Sequence, residues 1–173
     1  MSKFIDISVV FDTVTLESKY PNPSKNSASP TGIQHADAFM VAPSVVVKSG
    51  QATADLTIQA LVGDTIRWRS ESLSGNTDQS AIIYKIAKFS GTQVTSDPVM
   101  MVAYPTMPIP NAASPTTYSS VNSQADVYMN CNVLTKGTEG YQVWFYIVNK
   151  DQNTGALSTF GYYYWDPSIV VPA

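Results

Sequence analysis

This chain sets apolar residues at every second position over much of its length. From Phe4 to Val14, Ile5, Ile7, Val9 and Phe11 fall on one parity, and Asp6, Ser8 and Asp12 on the other. Successive side chains of an extended strand leave opposite faces, so this pattern predicts a half-buried β-strand. The same period recurs between Ala54 and Val62, where Leu56, Ile58, Ala60 and Val62 read as inward and Asp55, Thr57 and Gln59 as outward. In Thr65–Ser70, Ile66 and Trp68 point one way and Arg67 and Arg69 the other, which predicts solvated arginines. No stretch longer than about ten residues carries a helical period.

Further strands are expected at Ala38–Pro43 and Val45–Val47, with Pro43 at a corner or an edge, and then at Ala81–Phe89 and Val99–Tyr104. Asp126–Leu134, Tyr141–Asn149 and Leu157–Trp165 follow as antiparallel hairpins, and Ile169–Pro172 as a short edge strand. Two proline-rich and serine-rich segments, at about 17–37 and 105–122, read as long loops. The expectation is a single all-β domain over 1–173, an antiparallel two-sheet β-sandwich of jelly-roll or Ig-like type with little or no helix.

Composition narrows the function. Charged residues are 13% of the chain, against a usual value of about 25%. The net charge is −3 and the ten basic residues are scattered, which argues against nucleic acid, since phosphate binding needs clustered Lys and Arg. Asp6 interrupts any apolar leader core, so no signal peptide is expected, and the apolar runs are too short to span a membrane. With Val127, Met129, Cys131 and Val133 on one face, the lone cysteine reads as a buried structural thiol, consistent with a reducing, cytoplasmic setting.

The chemistry of catalysis is thinly supplied. The one general base of histidine type is His35, in Gly32–Asp37, and no nucleophile elbow accompanies it; His35 with Asp37 reads as a loop pair that organises the next strand. Asp55, Asp64, Asp126, Glu139 and Asp166 lie near strand ends, where isolated turn acids are common. No metal site, phosphate cradle or cofactor is expected. The densest feature is aromatic: Trp144 and Tyr146 on one strand, and Tyr162, Tyr164 and Trp165 beside Asp166 on the next. Half of these rings should fill the core, while the others would form a surface for self-association or for stacking on a carbohydrate.

Several blocks carry a resemblance across nearly the whole chain. They are Phe11-Asp12-Thr13, Asn22-Pro23-Ser24, Phe39-Met40-Val41, the segments Gly50–Leu56 and Leu61–Arg69, and the closing Gly161–Pro167. In their order and spacing they resemble the bacterial inclusion-body protein family typified by PixA and AidA. The resemblance implies a β-sandwich that accumulates inside cells, in some members as crystalline inclusions, with expression in others tied to quorum sensing or host association. It implies no enzymatic activity and no agreed ligand. The expected function is therefore a non-enzymatic, self-associating accessory protein with its own copies as partner, and a lectin-like carbohydrate-binding module is the alternative. Six methionines in 173 residues do not suit methionine storage.

Overall fold

A computed structural model describes residues 2–122 and 125–172. Among these, the first strands are β1 (Phe4–Phe11), β2 (Thr31–Gly32), β3 (Ala38–Val41), β4 (Val47–Ser49) and β5 (Thr57–Gln59). The middle of the chain supplies β6 (Thr65–Ser72), β7 (Gln79–Gly91), β8 (Val99–Ala103), β9 (Thr106–Asn111) and β10 (Ser114–Asn122). The chain closes with β11 (Asp126–Asn132), β12 (Gly137–Lys150), β13 (Leu157–Trp165) and β14 (Ser168–Val171).

The strands form three open sheets rather than two. One runs β3-β1-β6-β11-β8; a second joins β2, β13, β12, β14, β5 and β4, with β7 also paired to β12; the third is the β9–β10 ribbon. Pairing is mixed, which corrects the antiparallel expectation: β1 lies parallel to β6 from Phe4 opposite Thr65 to Phe11 opposite Ser72, and β2–β13 and β5–β14 are parallel too. These neighbours are far apart in the chain, so no hairpin turn dictates their direction. Of the expected hairpins only β12–β13 forms, since β11 pairs with β6 and β8 in the other sheet, and the closing strand β14 is not an edge but lies between β12 and β5.

The alternation read from the sequence is the alternation of burial. Ile5, Ile7, Val9 and Phe11 of β1 are buried, as are Val143, Phe145 and Ile147 of β12 and Tyr163 and Trp165 of β13. The two larger sheets meet through these rings. Phe11 stacks on Phe145 with centroids 4.1 Å apart and meets Trp165 edge-on at 5.4 Å. Trp68 meets Tyr141 at 5.6 Å and donates its indole N–H to the Tyr141 hydroxyl at 3.2 Å. Such contacts add a preferred geometry to the gain from burying the rings.

Local expectations fail where short-range chemistry overrides the pattern. A helix, α1 (Thr13–Lys19), follows β1. Asp12 caps it, accepting from the Thr15 N–H at 3.0 Å and the Thr15 hydroxyl at 2.8 Å, and Leu16 pins it to the core. At under two turns it is too short to show a period. The segment 17–37 is therefore not one loop: it begins in α1 and contains β2 and a 3-10 turn at His35–Asp37. The segment 105–122 is not a loop either, since Thr106–Asn111 and Ser114–Asn122 pair as the β9–β10 ribbon. Each strand of a two-stranded ribbon keeps one free edge, which is where proline is tolerated. Ser44–Val46 forms a 3-10 turn before β4, and Val62 is exposed because β5 ends at Gln59.

Candidate functional site

The acidic groups are held mainly by structural partners. Arg67 grips Asp6 with two hydrogen bonds of 2.8 Å, and Arg69 grips Asp126 at 2.7 and 2.8 Å while also reaching Asp6 at 2.5 Å. Phe4 and Tyr128 flank the guanidinium groups, at 4.4 Å for Arg67 over Phe4 and 4.7 Å for Arg69 over Tyr128. The arginines are thus half-buried members of a cross-strand ion network rather than solvated side chains. Burial pushes the Asp6 carboxyl up, but the hydrogen bonds from Arg67 and Arg69 outweigh it and hold the carboxyl below its ordinary value. Asp64 is also structural, accepting from the backbone N–H of Lys3 and of Leu61, each at 2.9 Å.

His35 and Asp37 do not pair with each other. Successive residues of the 3-10 turn diverge: Asp37 turns inward, is buried, and binds the Lys19 ammonium and the Tyr20 hydroxyl, the latter at 3.1 Å. His35 points outward between two carboxylates, with Asp55 on Nδ1 and Asp166 on Nε2 at 3.0 Å. The hydrogen bond to Asp55 is the main cause that raises the His35 pKa, with Asp166 adding to it. The cluster clamps three separated segments together at the surface. No group of three or more His, Cys, Asp or Glu able to hold a metal is found among the described residues.

Glu139 is buried and accepts from the Val94 N–H at 2.6 Å and from the Thr95 N–H and hydroxyl at 3.1 and 3.2 Å. It fixes the segment after β7 to the start of β12. Cys131 is also buried, and burial pushes its thiol up to about 12, so almost no nucleophilic thiolate forms near neutral pH.

The aromatic residues divide by parity. Trp144, Tyr146, Tyr162 and Tyr164 lie together, half-buried, on the outer face of the larger sheet, joined by Tyr84 from β7. Trp165 is not part of that surface: it is 1% exposed and packed in the core, while Asp166 beyond it turns to His35. The outer rings meet at tilted and edge-on angles with centroids 5.7–6.2 Å apart, and the Lys85 ammonium sits over the Trp144 ring at 4.0 Å. Tyr84 also donates to the Ser27 carbonyl at 2.8 Å.

A different region carries exposed apolar surface. Val99 and Val102 are 53% exposed, Met100 46% and Met101 42%, and Tyr104, Ile109, Tyr118 and Val127 are exposed nearby. A cavity of about 600 Å³ opens beside them, lined in part by Trp68, Ala81, Ile83, Val127 and Met129. The four consecutive apolar residues and the absence of charge from Pro98 to Ala125 were the available sequence signal.

Comparison with known proteins gives a consistent outcome. The family model described as PixA, inclusion body protein, matches residues 3–171. Among solved structures, the inclusion body protein (PixA) of Burkholderia cenocepacia J2315 is similar over 98% of this chain and 96% of its own, with a TM-score of 0.84 and 26% sequence identity. A search of curated proteins finds no match.

Proposed function

Because this chain belongs to the PixA inclusion body protein family, we propose that it is a non-enzymatic protein whose working state is an assembly of its own copies inside the bacterial cytoplasm. The observation that carries this reading is where its exposed apolar side chains lie. Those of β8 and the ribbon gather in a stretch without a charged residue, Pro98–Ala125. A contiguous exposed apolar patch of this kind marks an interaction site, and neutral polar surroundings lose less on desolvation than charged ones would.

The placement of the titratable groups supports the non-enzymatic part. His35, Asp37, Glu139 and the Asp6–Arg69–Asp126 network each link segments of the fold. No observation favours a sugar platform: Trp165 is buried, and the ring face of Trp144 carries Lys85. Sedimentation velocity over a rising concentration series tests the reading. Larger species are expected to grow with concentration, and a monomer at every concentration would contradict it.

A further inference from the structure

The strand β8 ends the five-stranded sheet, bonded to β11 on one side and paired with no other described strand. Soluble proteins usually blunt such an edge with lysine, proline or an inward charge. This one reads Val-Met-Met-Val-Ala, with both faces exposed. Met100 stands opposite Met129 and Val102 opposite Val127, so they continue the core-facing side of the sheet into the open.

The ribbon is an extension of the same hairpin. Ala103 opposes Asp126 and Thr106 opposes Asn122, so β8 leads into β9 and β10 back into β11, and the distal half leaves the sheet. Among the described strands β9 and β10 pair only with each other. A two-stranded ribbon without a third strand or a covering helix is marginal in water. Ile109 is 48% and Tyr118 76% exposed, so the ribbon has apolar groups to offer a partner. Pro108 and Pro110, two positions apart, lack an N–H on the same edge; with the other edge bonded to β10, the donorless edge is the outer one. Backbone pairing is left to β8.

The occupant that fits is a second copy of this chain. A twofold contact sets a patch against itself, so a charged patch would meet its own sign, whereas Pro98–Ala125 carries no charge to repel. β8 and the ribbon also supply exposed apolar side chains to such a contact, at Val99, Val102, Ile109 and Tyr118. We infer that β8 pairs antiparallel with β8 of a second copy, joining two five-stranded sheets edge to edge and bringing each ribbon against the partner copy. This rests on the self-association proposed above and names the surface that performs it.

The test compares sedimentation of the full chain with Met100→Lys and Val102→Lys, and with Val45→Lys as a control at a side chain that is 85% exposed. The unaltered chain and the control should associate alike, while each edge lysine weakens the dimer at least about tenfold. Val102→Thr keeps the β-branched shape, guards against a failure to fold, and should fall between. If the edge variants assemble as tightly as the unaltered chain, the β8 interface is overturned and self-association stands. If the unaltered chain stays monomeric throughout, both are overturned.

Discussion

A carboxylate as buried as Glu139 has to find its compensation inside the protein, and it finds it in the backbone of Val94 and Thr95. Glu139→Ala strands two N–H groups in the interior, each costing about 1–3 kcal/mol. Urea denaturation should show a loss of about 2–6 kcal/mol; a loss within error would contradict the clasp. His35 gives a pH-dependent case. Its folded pKa is raised by Asp55 and Asp166, so its contribution is fully present below the unfolded value of about 6.5 and is lost as pH rises through the folded value. His35→Gln should therefore lower the melting temperature near pH 6 and make little difference near pH 9. An equal loss at both would show that charge is not involved. The His35 partners could not be read from the sequence, because Asp55 and Asp166 lie 20 and 131 positions away.

At the level of elements, alternation exposed most strands and their buried parity, because burial on one face is a local pattern. It missed what long-range contacts decide. The helix α1 rests on a cap and one buried leucine, signals visible at Asp12 and Leu16 but too brief to form a period. The segment before β2 is ordered by its seat on β13. Tyr162 donates its N–H to the Ser24 carbonyl at 2.9 Å, and a Cβ on Gly161 would lie 2.2 Å from the Pro23 ring. Gly161→Ala must lift that segment, and should cost about 1–3 kcal/mol by overpacking. Amide exchange at Tyr162 should speed up and proteolysis near Pro23–Ser29 should appear; unchanged exchange would contradict the tight seat. Parity sets Tyr162 and Tyr164 apart from Tyr163 and Trp165, so grouping Trp165 with the surface rings runs against the pattern; which pair faces the core, parity does not say. That depends on the sheet lying opposite.

For the molecule as a whole, the proposed interaction surface was the least legible part. The apolar run Val99–Val102 is plain in the sequence, yet whether it is a central strand or an edge depends on sheet order. Sheet order places it outermost and leaves an uncharged ribbon attached to it. A neutral interface also has a predictable response to ions: assembly should change little as sodium chloride screens charge, and should strengthen in sulfate, which favours burial of apolar surface. A steep weakening with sodium chloride would point to an ionic contact instead. The most direct measurement of the central claim is backbone amide exchange on the unaltered chain at low and high protein concentration. Exchange in Val99–Ala103 should slow as concentration rises while that of the exposed Gln152–Gly155 turn stays constant; exchange in β8 that is the same at every concentration would contradict the account.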